Sequence, residues 1–535
     1  MTDKKDPKRI TRRDFVKGAV ISTAAVASAG ALAGCSEKTA PAVSSLPEKW
    51  DKEAEVVVVG YGGAGAVAAI TAHEEGARVL ILEKQPEGGH TSNTQMCAGV
   101  FISPTDIDDA SAYMEVASRV NVDMPESKDI DDETIRAWAE YMVQNKDWLA
   151  ELGAEDFVIY ADQGRDPSWP GNDAIKAYRI KKPDGTPGTG VYFFDFLDKQ
   201  VKSRKIEIMW ETPAAKLITN GEGEIVGVFA QGKDGSEIAI KASKAVILTC
   251  GGFEFDEEAL KAYLPAYPMV FYGNPDNTGD GVRMAMDVGA DLWHMPVLGG
   301  GFKAKFPDFP TAFGLGLGNG SYIVVDKFGK RFKAENELGG YSGYLNALVY
   351  DTVNYTWPRI PVYWIFDEKK RTAGPLIYTF FGAAGPIGMY EWSSDNSKEI
   401  EKGWIVKADT VAELAQQIGV DPDVLEEEVS KFNGYAEAGG DGDFQRSVDT
   451  MQPLDTPAYY AMKLWPGLNN TFGGPRRNAK AQIVDVEGNP IPRLYSAGEL
   501  GSIYVQYPQG GANVGECIAF GRIAGQNAVK EENWD

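Results

Sequence analysis

Three glycines and one glutamate have the types and the spacing needed to bind the diphosphate and ribose of a dinucleotide. Gly60, Gly62 and Gly65 form the pattern G-x-G-x-x-G, and Glu83 follows an apolar run downstream. We expect Gly60 to make a tight turn, Gly62 to admit backbone N–H groups to a pyrophosphate, and Gly65 to bring a helix close to a strand. Glu83 would accept hydrogen bonds from the adenosine ribose hydroxyls.

The residues around these positions predict the elements that would hold them. Residues 56–59 are all valine, a β-branched run typical of a buried parallel strand, and an alanine-rich helix is predicted to begin at the glycines. A second apolar strand is predicted at residues 79–82. The helix N-terminus supplies the partial positive charge that a diphosphate requires. Because a glycine triplet alone also occurs in ordinary turns, the prediction depends on strand, helix and terminal acid together.

The composition indicates an acidic globular protein. The chain has 535 residues, of which 43% are hydrophobic, and this length is enough for two domains. Its formal net charge of −24 disfavours binding to nucleic acid, whose phosphates need a basic surface. The same charge argues against direct contact with anionic lipid.

Residues 1–34 are interpreted as an export signal. Residues 11–17 read T-R-R-D-F-V-K, similar to a twin-arginine signal, and a short apolar stretch follows them. The L-A-G before Cys35 resembles a lipoprotein cleavage box, so Cys35 would become a lipidated N-terminus and residues 35–50 a tether. The alternatives are a chance arginine pair in a cytosolic chain and cleavage without lipid. We expect an exported protein of the cell envelope, attached to the membrane only through lipid at Cys35.

Cysteine and histidine usage predicts no metal site. The four cysteines are far apart and form no C-x-x-C, and the three histidines share no metal-ligand spacing. Haem attachment and iron–sulfur ligation therefore have no local support. Redox chemistry in this chain would depend on a bound organic cofactor.

Hydrophobic periodicity predicts further elements. Apolar side chains at helical spacing predict a helix over residues 133–152. Strands are predicted at residues 216–219, 225–230, 237–241, 244–249 and 494–497. Helices are predicted at residues 410–418, 422–436 and 511–529.

Six further motifs follow the first glycine turn in a specific order. They are Gly88-Gly89-His90-Thr91-Ser92-Asn93, Ala245-Val246-Ile247-Leu248-Thr249-Cys250-Gly251-Gly252, Asn277-Thr278-Gly279-Asp280-Gly281, Gly329-Lys330-Arg331-Phe332, Leu494-Tyr495-Ser496-Ala497-Gly498-Glu499 and Phe520-Gly521-Arg522-Ile523-Ala524-Gly525. Their order and spacing resemble the fumarate reductase/3-ketosteroid dehydrogenase group of FAD flavoproteins, over nearly all of residues 51–535.

The resemblance implies FAD rather than NAD, and an α/β fold. We expect a discontinuous Rossmann-type, glutathione-reductase-like FAD-binding domain at residues 51–297 and 448–535. An α+β capping domain at residues 298–447 would be inserted between the two parts, with substrate between cap and flavin. Some relatives bond the flavin to a histidine near His90, but the spacing to the following Ala98 is longer here. We therefore expect the FAD to be bound non-covalently.

Carried over by position, the resemblance assigns a set of residues to FAD. Besides Gly60, Gly62, Gly65 and Glu83, they are Ala64, Lys84, Gly89, Thr91, Ser92, Ala215, Thr249, Gly251, Asp280, Glu499, Asn513 and Val514. Ordinary turn or strand roles are the alternative for Thr91, Ser92 and Ala215, and a solvated loop acid is the alternative for Glu499.

Departures from the dicarboxylate reductases of this group argue against fumarate as the substrate. Those enzymes use a histidine and arginines to hold two carboxylates and to deliver a proton, because guanidinium pairs well with carboxylate. The corresponding positions here are Asn470, Pro508 and Gly339. Arg476 and Arg477 follow a glycine turn, but as neighbours on a strand at most one of them would enter the site.

Residues 507–511 read Y-P-Q-G-G and instead look like the ketosteroid-type Y-P-x-x-G segment. The resemblance implies that the hydroxyl of Tyr507 and the N–H of Gly511 hold a substrate carbonyl, where they would stabilise an enolate. Tyr341 is the candidate proton donor or acceptor at the neighbouring carbon. A packing role remains the alternative for either tyrosine.

Together these features predict an exported FAD-dependent oxidoreductase that reduces an activated C=C bond in an enone or a related uncharged or aromatic small molecule. An external cytochrome, flavoprotein or quinone-linked donor would supply the electrons, because no haem or second-flavin module is visible in the sequence. Three alternatives stay open. They are a ketosteroid-type dehydrogenase that introduces the double bond, a flavin oxidase, and a non-catalytic tethered electron carrier.

Overall fold

The computed structural model describes residues 46–378 and 390–534. The predicted signal, Cys35 and most of the tether lie outside the described residues. Residues 41–535 form one compact unit by their contacts. Strands β1 to β20 of the described chain are Lys52–Val59, Val79–Leu82, Val100–Ile102, Phe157–Ala161, Ala177–Ile180, Glu207–Met209, Ala214–Thr219, Ile225–Gln231, Glu237–Leu248, Val270–Phe271, Leu292–Trp293, Leu298–Ala304, Phe313–Gly314, Tyr322–Val325, Val362–Asp367, Ile405–Ala408, Tyr459–Thr471, Gly474–Pro475, Gln482–Val484 and Pro490–Ser496.

Helices connect these strands and cover one face of the main sheet. Helices α1 to α13 are Gly63–Glu74, Asn93–Met96, Ile107–Ala117, Asp132–Met142, Asn145–Glu151, Gly190–Ser203, Glu257–Tyr263, Asp280–Asp287, Glu368–Thr372, Ser397–Glu401, Val411–Ile418, Pro422–Ala438 and Ala512–Lys530. In the part of the chain that the structure describes, no helix is long and apolar enough to cross a membrane.

The main sheet has the order β19-β20-β9-β1-β2-β6; in addition, β8 pairs with β9 and β7 pairs with β8. Strands β1, β2, β6, β9 and β20 pair in parallel, as the predicted α/β class requires. All four valines that end β1 are buried, because helices cover the sheet on one side and other parts of the chain cover it on the other. Helices α1 and α13 pack closely, since Gly521 and Gly525 lie against the backbone and small side chains of α1.

A second sheet has the order β13-β12-β17-β15-β14, and β10 and β16 also pair with β17. Its central strand, Tyr459–Thr471, lies beyond residue 447, where the capping domain was predicted to end. The short strand Val270–Phe271 lies before residue 298, where the cap was predicted to begin. The predicted domain boundaries thus fall between strands that are hydrogen-bonded to each other. Strand β17 follows the predicted cap in sequence, but it pairs with β12, β15 and β16 inside the cap and with β10 before it.

Two local predictions differ from the structure. The helix predicted over residues 133–152 is two helices, α4 and α5, with a bend at residues 143–144. After the bend the amide of Asn145 enters the core, where its Nδ2 donates to the carbonyls of Ile102 and Gly515, each at 3.0 Å. The strands predicted at residues 237–241 and 244–249 are one continuous strand, β9, because β1 pairs with it along both halves.

Candidate active site

A continuous cavity of about 550 Å³ lies at the carboxyl ends of β1, β2 and β9. Val59, Leu82 and Thr249, which end or follow these strands, all line it. The first turns of α1 and α13 reach the same cavity, and a helix N-terminus favours an anionic group. Ligands of parallel α/β sheets bind at this edge, so the fold places a candidate site where the first glycine turn was predicted.

The first glycine turn has the geometry that a bound diphosphate requires. Gly60 has φ of +101°, and a Cβ there would lie 2.7 Å from the carbonyl oxygen of Thr249. A Cβ on Gly65 would overlap the carbonyl oxygen of Gly60. Gly62 lines the cavity just before α1, and the N–H of Gly63 donates to Thr94 Oγ1 at 3.0 Å. Side chains at Gly60 and Gly65 would therefore clash with the backbone. Gly62 has no side chain that would fill the cavity, so a ligand can approach the turn closely.

Glu83 ends the second strand and lies buried in the cavity wall. Its Oε2 accepts a hydrogen bond from the N–H of Tyr61 at 2.9 Å, and its Oε1 accepts one from the N–H of Gln85 at 2.8 Å. His90 lies nearby, with Nε2 3.8 Å from Glu83 Oε2, and its ring packs against Tyr61. His90 thus lies beside the acid that we predict to bind the ribose, and this position is consistent with the prediction that His90 does not bond the flavin.

Lys84 and Asp280 form an ion pair in the cavity wall. Lys84 Nζ lies 2.7 Å from Asp280 Oδ2 and donates to Thr278 Oγ1 at 2.9 Å. Asp280 begins α8, so the T-G-D-G turn brings an acid from a distant part of the chain to the end of β2. Both residues remain predicted cofactor contacts, and the pairing neutralises the charge of Lys84.

The remaining predicted FAD contacts differ in their placement. Ala64, Gly251, Val514, Thr91 and Ser92 line the cavity together with the residues above. Ser92 also caps helix α2, because its Oγ accepts from the N–H of Gln95 at 3.3 Å. Gly89 and Ala215 lie outside the cavity lining and are exposed, whereas the neighbouring Ala214 lines it.

Glu499 is half-buried and lines the cavity between two amides. Asn93 Nδ2 donates to its Oε2 at 3.0 Å, and Asn470 Nδ2 donates to its Oε1 at 2.5 Å. Burial raises the pKa of Glu499 well above the usual range, and the nearby Glu254 carboxyl raises it further. A protonated carboxyl both donates and accepts hydrogen bonds, which suits a ligand with hydroxyl or heterocyclic groups.

The cavity fits FAD by its own chemistry. Asn513 lies in the first turn of the long helix α13, and its Oδ1 is buried with no hydrogen-bond partner among the described residues. A buried acceptor without a partner is costly, so we expect this oxygen to accept a hydrogen bond from a ligand. With the glycine turn, two helix N-termini and the buried Glu83, Asn513 completes a set of groups that suits a dinucleotide.

Two tyrosines meet at the other part of the cavity. The rings of Tyr341 and Tyr507 are stacked, with centroids 3.8 Å apart and an interplanar angle of 9°, and Phe472 stacks on Tyr507 at 6.1 Å. The two hydroxyls act electrostatically on each other, and the backbone of Gly511 favours the charged form of the Tyr507 hydroxyl. Burial raises the pKa of both phenols, so both are protonated at neutral pH. The three predicted catalytic residues are therefore brought together from distant segments.

The positions that differ from the dicarboxylate reductases hold no cation. Asn470 is bonded to Glu499, and Gly339 lines the cavity without a side chain. The Pro508 carbonyl accepts hydrogen bonds from other loops. Arg477 is buried against Glu516, and neither it nor Arg476 lines the cavity. A clamp for two carboxylates is thus absent from the lining residues that the structure describes.

The sequence analysis missed several cavity residues, among them Thr94, Tyr272 and Lys303. Thr94 supports the first turn, and Tyr272 donates from its hydroxyl to the Met96 carbonyl at 2.6 Å. Lys303 is buried in β12 and lines the cavity near Tyr272. The sequence contained one signal for Lys303, namely a lysine that follows three glycines in an otherwise apolar segment. This pattern does not show which face of the strand lines a cavity.

Comparison with known proteins finds a family match and several relatives. Residues 55–514 match the family described as FAD binding domain. The digoxin reductase of Eggerthella lenta is 30% identical over 98% of this chain and 98% of its own length. A fumarate reductase (cytochrome) of Shewanella frigidimarina is 28% identical over 89% of this chain and 77% of its own length.

A solved structure shares the fold. The 3-ketosteroid delta1-dehydrogenase of Sterolibacterium denitrificans, in complex with 1,4-androstadiene-3,17-dione, superposes with a TM-score of 0.75 at 22% identity. The superposition covers 89% of this chain and 99% of that enzyme.

Proposed function

Since the chain belongs to the FAD binding domain family, we propose that it reduces the polarised C=C bond of an enone or a related aromatic small molecule. The matches confirm the predicted family, the Rossmann-type fold with a capping domain, and the FAD cofactor. The protein is an FAD-dependent oxidoreductase that acts on CH–CH or C=C groups. The choice of substrate and the direction of the reaction are our proposal.

One observation carries the proposal: Tyr341, Tyr507 and Gly511 converge in the same cavity as the first glycine turn. We infer that the Tyr507 hydroxyl and the Gly511 N–H donate hydrogen bonds to the carbonyl oxygen of the substrate. These donors would stabilise the negative charge that develops on this oxygen when the β-carbon is reduced. Bound FAD supplies the hydride for that carbon.

Tyr341 completes the reduction in this scheme. Its phenol is protonated at neutral pH because burial raises its pKa, and it transfers the Oη proton to the α-carbon of the enolate. Hydride and proton together convert C=C into CH–CH. The stacked ring of Tyr507 fixes the orientation of Tyr341, and the apolar walls around the pair keep water from the enolate.

We further propose that the protein works outside the cytoplasm on a lipid anchor at Cys35. The twin-arginine-like segment and the cleavage-box-like residues support export, and the segment before the folded unit supports a tether. Reduction would then need electrons from a cytochrome, flavoprotein or quinone-linked partner. A tethered terminal reductase is the role that combines these features.

The proposal is tested by an anaerobic screen. The FAD-loaded protein is reduced chemically and mixed with enones, steroids, cinnamates and dicarboxylates, and reoxidation of the flavin is followed by absorbance. We expect enones or other α,β-unsaturated carbonyl compounds to reoxidise it fastest and fumarate to be slow. Fastest reoxidation by fumarate would refute the argument from the missing cations. Reoxidation by oxygen alone would favour an oxidase, and no reoxidation by any compound would favour an electron carrier.

A further inference from the structure

Lys303 is a buried cation in a strand that has no structural need of one. All seven residues of β12, Leu298–Ala304, are buried, and their sequence is L-G-G-G-F-K-A. Lys303 is 6% exposed and lines the cavity. An aliphatic side chain of similar length would fill this position without the cost of desolvating an ammonium group.

No carboxylate balances this ammonium among the residues that the structure describes. Its nearest recorded interaction is with the ring of Tyr272, whose centroid lies 6.0 Å from Nζ. Burial alone lowers the pKa of Lys303 to about 8, with no opposing contribution from an acid. The other lysine in the cavity wall, Lys84, is neutralised by Asp280 at 2.7 Å. Lys303 is therefore the cavity lysine whose charge remains open to a ligand.

The strand directs Lys303 to the side of the sheet where Tyr341 lies. Gly301 and Lys303 are two residues apart on β12, so their Cα–Cβ bonds point to the same face. A Cβ on Gly301 would overlap the carbonyl oxygen of Leu338, and a Cβ on Gly299 would lie 3.1 Å from the Tyr341 ring. The segment that contains Leu338 and Tyr341 therefore runs beside β12, where its carbonyls accept hydrogen bonds from the strand. The hydroxyl of Tyr341 in turn acts electrostatically on Tyr272, the residue beneath the Lys303 ammonium.

We propose that Lys303 binds an anionic group of the substrate, a carboxylate separate from the carbonyl that Tyr507 and Gly511 hold. The natural substrate is then an α,β-unsaturated carbonyl compound with one additional acidic group. This proposal rests on the proposed function, because it assigns the carbonyl to the tyrosine pair. A single unpaired lysine matches one carboxylate, whereas the cavity lacks the clamp for two. Lys303 would act as a specificity-determining residue and would take no part in proton transfer.

The test compares two probes that differ by one carboxylate. They are 4-phenylbut-3-en-2-one and its derivative with a carboxylate in the para position of the ring. Binding to the oxidised, FAD-loaded protein is measured from perturbation of the flavin spectrum, and turnover is measured under reducing conditions. The variants are Lys303→Met, which keeps length but removes charge, and Lys303→Arg, which keeps charge. Lys463→Met is the matched control, because Lys463 also lies 6.0 Å over a tyrosine ring but is exposed.

We expect Lys303→Met to weaken binding of the acidic probe by about 10- to 100-fold, because a charge-assisted hydrogen bond is lost. The affinity for the neutral ketone should stay the same. Lys303→Arg should retain the preference, and Lys463→Met should behave as the wild type. Equal affinity of the wild type and Lys303→Met for the acidic probe would overturn the proposal. Failure of the acidic probe to bind the wild type would also overturn it. Binding of both probes without flavin reoxidation would instead refute the proposed function, because binding does not depend on turnover.

Discussion

The role of the stacked tyrosines gives the sharpest test of the proposed chemistry. Tyr507→Phe removes one hydroxyl and keeps the ring that stacks on Tyr341 at 3.8 Å. The substrate carbonyl would then lose one of two hydrogen-bond donors and keep the N–H of Gly511. Loss of a single donor to a developing oxyanion costs on the order of 10²–10³ in kcat, or about 3–4 kcal/mol.

The two rings are stacked and the two hydroxyls interact electrostatically, so the effects of removing them should not add. Tyr341→Phe removes the proposed proton donor and should lower kcat by about 10²-fold or more. The double variant should be less impaired than the product of the two single effects, by roughly tenfold, because each hydroxyl orients the other. A double-variant effect that is smaller than the product of the two single effects would show that the two tyrosines are energetically coupled.

The assay is the rate of substrate-driven flavin reoxidation, together with the flavin content of each variant. Tyr460→Phe serves as the control, since its hydroxyl bonds to Glu368 at 2.5 Å and its ring stacks on Phe366, outside the cavity. We expect full flavin content in all variants and wild-type kcat in the control. Unchanged kcat in Tyr507→Phe, or a fall explained by lost flavin, would refute the role of this tyrosine.

Three further predictions concern cofactor binding and stability. Gly65→Ala should weaken FAD binding at least ~10-fold because its Cβ would overlap the carbonyl oxygen of Gly60, whereas Gly221→Ala, in open space, should keep normal flavin content. Lys303→Met should stabilise the protein at pH 7 by up to ~3 kcal/mol, since burial lowers the lysine pKa from 10.5 to about 8. Between pH 8 and 10.5 the unfolded chain holds this proton more tightly than the folded protein does, so the stability of the wild type rises with pH over this range. The stability difference between Lys303→Met and the wild type should therefore be smaller in thermal melts at pH 9.5 than at pH 7. A difference that stays constant would contradict the prediction. Arg331→Met should lower stability by about 3–5 kcal/mol, measured by thermal or denaturant unfolding, because it leaves the buried Asp441 without its arginine and Glu335 with only Arg446. An unchanged melting temperature would contradict this.

Local sequence carried most of the information about the cofactor site. The predicted strand at residues 79–82 matches β2 in full, and the predicted helices at 410–418 and 511–529 match α11 and α13 within one residue at each end. These elements depend on short-range periodicity and on turns that only glycine adopts, so their signals lie within a few neighbouring residues. The motif Gly329-Lys330-Arg331-Phe332 proved to be structural, because Arg331 is buried in ion pairs with Glu335 and Asp441.

The pairing of β17 with strands on both sides of a predicted domain boundary could not be predicted from the sequence. The predicted boundary at residue 447 separated β17 from the strands of the second sheet, because the family pattern assigned residues 448–535 to the flavin domain. Pairing between strands far apart in the chain is decided by which edges meet in three dimensions. Periodicity within a strand contains no information about its partners.

By itself, the sequence determined the glycine turn, the acid that ends the second strand, and thereby the FAD family. Each depends on residues that are neighbours along the chain, where steric limits on the backbone act directly. Only the tertiary structure decided that Tyr341 stacks on Tyr507 and that Lys303 faces the same cavity. These contacts join segments that are far apart in sequence, and burial in a common cavity gives the hydroxyls and the ammonium properties that the same residues would not have in water.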